Sequence, residues 1–88
     1  MTELLIKTVS FSDHAMTATF NDGASVAVPL AQFERLKTAK PVDRNDWQLI
    51  GGGIGVHWPK IDEDLSVENI LAAYSRAKRG QYAQSSPG

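Results

Sequence analysis

Apolar and polar positions alternate through the first third of the chain, the pattern of strands with one covered face. Residues 4–11 are rich in apolar and β-branched side chains, with Leu5, Val9 and Phe11 on one side of a period-two pattern that Lys7 interrupts. Ser12-Asp13-His14 is turn-like. Residues 15–20 alternate again, placing Met16, Ala18 and Phe20 on one face and Thr17 and Thr19 on the other. Asn21-Asp22-Gly23 supplies residues that accept the positive φ angles of a tight hairpin, which predicts a third strand over residues 24–28.

Pro29 ends that strand, because it has no amide hydrogen for a ladder, and it suits the first turn of a helix. Leu30, Phe33 and Leu36 recur every three residues and predict a short helix over 30–37. Residues 38–46, with Pro41 and several polar side chains, read as a loop. Strand character returns at 47–50 and again at 54–58, so Gly51-Gly52-Gly53 turns a second hairpin. A phosphate cradle would need those glycines to open into a helix; here they lead into a strand, which favours a hairpin or bulge.

After His57-Trp58-Pro59 comes an acidic turn, Asp62-Glu63-Asp64, and then Ser66, a suitable N-cap. Val67, Ile70, Leu71, Tyr74 and Ala77 form the apolar stripe of a last helix, and Glu68 favours its positive end. Arg76, Lys78 and Arg79 are expected at the end of that helix, where cations complement its dipole. The tail from 80 to 88 is small and polar and is expected to be flexible.

Composition narrows the classes. The chain has 88 residues, of which 42% are hydrophobic and 22% charged, which leaves room for one domain, expected over 1–79. No apolar run approaches the ~20 residues of a membrane span, and the first residues lack the pattern of a signal peptide, so a cytoplasmic location with no membrane partner is expected. Cysteine is absent, which excludes disulfides, thiolate metal sites and a cysteine nucleophile. A net charge of −1 with scattered cations argues against direct nucleic-acid binding.

The dense polar stretch around His57 carries the candidate chemistry, and three readings of it stand side by side. Trp58, Asp62, Glu63 and Asp64 together suit a protein-binding surface, since an amphipathic indole beside charges is interface chemistry. His57 with Asp62 and Asp64 would suit a metal or an acid/base site, although no spaced ligand motif is present and no cofactor is expected. The third reading is structural: carboxylates before a helix start are stabilised by its dipole, and Trp58 is a core residue. No Gly-x-Ser-x-Gly elbow points to a serine nucleophile.

The run 20–23, the stretch 26–36, Trp47-Gln48-Leu49 and above all Trp58-Pro59-x-x-Asp62-Glu63-Asp64 before a helix resemble the bacterial family known as domain of unknown function 2442. The resemblance implies a small α+β domain, in some members followed by a helix-turn-helix, with a suspected place in toxin–antitoxin-like gene pairs. It implies no catalytic residues.

The expected fold is therefore α+β: a small antiparallel sheet from two hairpins, a short middle helix and a C-terminal helix packed on the sheet. The expected function is that of a non-enzymatic binding or adaptor module, antitoxin-like, with a protein partner and a capacity to form a homodimer. The alternative is a small metal-dependent or acid/base enzyme using His57 and the Asp62 to Asp64 cluster.

Overall fold

Two antiparallel meanders and a long last helix make up the architecture, an α+β fold. The computed structural model describes residues 3–85, with side chains through Arg79. Strands β1 (Ile6–Phe11), β2 (Ala15–Phe20) and β3 (Ser25–Pro29) form the first sheet in the order β1-β2-β3. A 3-10 turn at Leu30–Gln32, helix α1 (Glu34–Thr38) and helix α2 (Pro41–Arg44) cross to the second sheet. There β4 (Gln48–Ile50), β5 (Gly55–Trp58) and β6 (Glu63–Ser66) lie in the order β4-β5-β6, and α3 (Val67–Ser85) leaves β6 directly to pack against β3.

The alternation in β2 is realised as expected: Met16, Ala18 and Phe20 are buried. Val28 of β3, Leu36 of α1, Val56 and Trp58 of β5, and Ile70 and Ala73 of α3 join them in one core. The Asp22-Gly23 turn forms as predicted; Gly23 takes a φ of 89° and Asp22 Oδ1 accepts the Ala24 N–H at 2.9 Å.

Several details depart from the pattern. β1 buries Ile6 and Val9 rather than Leu5 and Val9, because its register against β2 shifts between Ile6 and Thr8. That irregularity absorbs Lys7 and resets the phase of the strand. The helix expected over 30–37 is split: Phe33, with extended backbone (φ −131°, ψ 91°), separates the 3-10 turn from α1. Leu30, Phe33 and Leu36 are nonetheless all buried, so the three-residue spacing marked a covered face of 3-10 character instead of a continuous α-helix. The stretch read as loop contains α2, which starts with Pro41 in its first turn.

The sheet is not one but two, and the acidic turn supplies the third strand of the second. Glu63 and Asp64 belong to β6, which pairs with β5 through Val56↔Leu65, His57↔Asp64 and Trp58↔Glu63. Leu65 is the buried side chain of this strand; Glu63, opposite Trp58, shares its face and is half-buried, whereas Asp64 faces out. The last helix also runs further than expected, with helical backbone to Ser85, while residues 86–88 of the expected tail lie outside the described residues. Arg76, Lys78 and Arg79 consequently sit within α3 and not in its last turn. Arg76 Nε donates to Gln32 Oε1 at 3.2 Å, and Lys78 Nζ lies over the Tyr74 ring.

Gly51, Gly52 and Gly53 do turn the second hairpin, all at positive φ. Gly53 has an added task. Its carbonyl accepts the N–H of the buried Ile6 at 2.8 Å, tying the tip of the second sheet to the first strand of the other.

Candidate functional site

Strand alternation decides which of the expected site residues reach the surface. Along β5, Val56 and Trp58 face the core and His57 faces out. Trp58 is fully buried; its ring meets Phe11 edge-on, with centroids 6.3 Å apart, and its Nε1 donates to the Arg44 carbonyl at 2.8 Å. Of the two readings of Trp58, the core residue is the one realised, and its place in a contact surface is corrected. Its amphipathic character is satisfied internally, with the polar edge spent on a backbone oxygen. Arg44 in turn donates from Nε to the Leu36 carbonyl at 2.8 Å and from its guanidinium to the Lys37 carbonyl at 3.1 Å, so α1, α2 and β5 are fastened at one residue.

On the outward face, the cross-strand register sets His57 opposite Asp64, and His57 Nδ1 pairs with Asp64 Oδ1. The side chains are 33% and 69% exposed, so the pair adds less than about 1 kcal/mol to the fold. What it does is orient the imidazole, leaving Nε2 the nitrogen for an outside group. Asp62 stands apart from the pair. It holds a φ of 52°, a left-handed conformation that aspartate tolerates better than most residues, and Arg35 donates to the carbonyls of Ile61 at 3.3 Å and Asp62 at 3.4 Å. Glu63 is half-buried and accepts the Asp64 N–H at 3.3 Å.

The expected metal set of His57, Asp62 and Asp64 is thus assembled only in part. Among the described residues, no three of the His, Asp and Glu side chains converge to hold an ion. Nor, among them, does any ion pair other than His57–Asp64 occupy these carboxylates.

Ser66 caps α3 as its sequence position suggests. Its Oγ accepts the Asn69 N–H at 3.0 Å while Asn69 Oδ1 accepts the Ser66 N–H at 3.0 Å, a reciprocal capping box with Asn in the usual Glu position. Beside this cap lies a shallow hollow of about 230 Å³ bounded by Ile50, Ile54, Asp64, Ser66 and Asn69. Ile50 and Ile54 are 39% and 47% exposed. They are the residues that reading the chain alone passed over; their signal was the placing of large aliphatics on both sides of a glycine turn.

A family model described as "Protein of unknown function (DUF2442)" matches residues 6–75. The chain belongs to that family. The matched span runs from β1 into α3, so both meanders and the His57–Asp64 face lie within the DUF2442 domain. A crystal structure of a protein of unknown function from Rhodospirillum rubrum has a similar fold, with a TM-score of 0.69 at 22% identity, covering 81% of this chain and 88% of that one. No curated protein matches. Among the described residues, no helix is long and apolar enough to cross a membrane.

Proposed function

We propose that this DUF2442 domain is a protein-binding module, the antitoxin-like or adaptor partner in a two-protein bacterial system. Its contact surface is the outward face of the second sheet. The observation that carries the reading is the meeting of carboxylate and exposed aliphatic surface there: Asp64 borders the same hollow as Ile50 and Ile54, with Asp62 and Glu63 next to it in the chain. Aliphatic area gives a partner something to cover, and the neighbouring carboxylates select one whose covering segment is basic. The partner chemistry is therefore a basic, amphipathic protein segment.

The test is affinity capture from the host lysate with the native domain and with an Asp62→Asn/Glu63→Gln/Asp64→Asn variant. One basic protein retained by the native form and lost by the variant is the expected result. Equal retention by the two forms, or no specific retention by either, refutes the reading.

A second reading, acid/base catalysis, draws on the His57–Asp64 pair, since a carboxylate that orients an imidazole is the arrangement of a general base. Metal content of untagged protein, and turnover by His57→Ala against the native form, decide it: neither stoichiometric metal nor any activity lost with His57 removes the enzyme reading.

A further inference from the structure

We propose that the hollow between β3 and α3 is a binding site for a small aryl carboxylate, with the carboxylate held by Lys78 and Tyr74 and the ring laid on the sheet surface beside them. The site shares no residue with the His57–Asp64 face and is independent of it.

Strand register and helix periodicity build the hollow. Ala27 and Pro29, two apart on β3, project from one side of the strand, and Ala15 of β2 stands opposite Pro29 on that same side. α3 packs against β3 and brings Tyr74, Ala77 and Lys78 to the hollow, at the three- and four-residue spacings that share a helix face. With alanine or proline at four of the lining positions, no long side chain fills the space between strand and helix. About 440 Å³ is left open. That volume falls within the range of about 300–1,000 Å³ that small-molecule sites occupy.

The polar groups that line it are an ammonium, a phenol and an imidazole. Lys78 Nζ lies 5.2 Å from the centroid of the Tyr74 ring and donates to the Tyr74 hydroxyl at 3.3 Å. The ammonium is thus drawn back over the ring, and the phenol keeps its own hydrogen for an acceptor. His14 stands on a fixed turn: Ser12 Oγ accepts the Ala15 N–H at 3.2 Å, and the His14 carbonyl accepts the Leu30 N–H at 2.8 Å. Among the described residues, no carboxylate lines the hollow and Lys78 belongs to no ion pair. An anion is the complement of that set. An adjoining hollow shares His14 and Pro29, but it includes Asp13 along with Lys37, and its Arg44 is spent on the Leu36 and Lys37 carbonyls, so the charged end belongs at Lys78.

The kind of anion follows from what surrounds the cation. A phosphate is cradled by a cluster of backbone N–H groups. Here the Ala15 N–H is taken by Ser12 and Pro29 has none. A carboxylate needs only two donors, one for each oxygen, and Lys78 and Tyr74 supply them. The floor of alanine and proline carries no branched side chain to interdigitate with, and Ala27 and Pro29 are exposed, so a flat ring covers it best.

Titration of the isotope-labelled full chain at about pH 7, where a carboxylic acid is ionised, followed by amide chemical shifts, tests the proposal. The probes are phenylpropionate, its uncharged amide, and propionate, which lacks the ring. Phenylpropionate should move the amides of Ala15, Ala27 and Ala77 and saturate with a Kd of about 1 mM or below. The amide and propionate should each bind at least tenfold more weakly. Lys78→Gln, at an exposed helix position, should weaken phenylpropionate tenfold and leave the amide unchanged. Ala27→Leu, which fills the hollow from the sheet side, should abolish binding, and it carries the test if circular dichroism shows Lys78→Gln to be unfolded. Shifts that do not saturate at these residues overturn the proposal, as does an amide that binds as tightly as the acid. Unchanged affinity in either folded variant overturns it too.

Discussion

Replacing Gly53 by alanine should be far more costly than the same change one residue earlier, and the difference measures how firmly the two sheets are fastened. At Gly53 the backbone has a φ of 122°, a region that side chains rarely adopt, at a cost of about 1–3 kcal/mol. A Cβ there would also stand 2.4 Å from the Ile6 carbonyl oxygen and 3.0 Å from the Ile6 nitrogen. Both neighbours are backbone, so the hairpin itself must retreat. Retreat lengthens or breaks the 2.8 Å bond from the buried Ile6 N–H, and leaving that donor unsatisfied costs about 1–3 kcal/mol. The sum is about 2–6 kcal/mol. At Gly52, with a φ of 73°, an added methyl would meet no atom within 4 Å, so alanine there costs only its backbone conformation, about 1 kcal/mol. Urea unfolding followed by tryptophan fluorescence measures both variants. For a domain of this size, the Gly53→Ala excess should lower Tm by roughly 4–8 °C per kcal/mol. Equal losses for the two alanines would refute the claim that docking on β1 dictates the glycine.

Two further outcomes follow from the core and the helix start. Trp58→Phe keeps an aromatic ring against Phe11 but leaves the Arg44 carbonyl without its donor, and should cost about 1–3 kcal/mol in urea unfolding. Ser66→Ala should cost about 1 kcal/mol, and Ser66→Ala with Asn69→Ala should cost less than the two single changes added together, because each side chain serves the other's N–H.

Much of the fold was legible because local chemistry and tertiary environment agree in it. The Asp22-Gly23 hairpin, the alternation of β2, the glycine hairpin and the Ser66 cap are each set by a few neighbouring residues. β6 was not legible. Three acidic residues precede its one buried side chain, Leu65, and nothing local marks it as a strand; its pairing with β5 does. The same blindness affected the site. Asp62, Glu63 and Asp64 are equivalent in sequence, and only the His57↔Asp64 register singles out one of them. For Trp58 the core reading held and the contact-surface reading did not, for a related reason: its indole nitrogen needed a partner, and the carbonyl of Arg44 supplies one from a helix that its own segment had not announced.

The bond between Gly53 and Ile6 also bears on the order of events in folding. Each meander is assembled from strands that are neighbours in the chain, and such hairpins close within microseconds. The latch joins segments far apart in sequence, so closing it costs more loop entropy than closing either meander, and it is expected to form after them. Weakening it should leave the refolding rate nearly untouched and appear almost wholly as faster unfolding. The glycine at the hairpin tip thus governs how long the native state lasts more than how quickly it is reached.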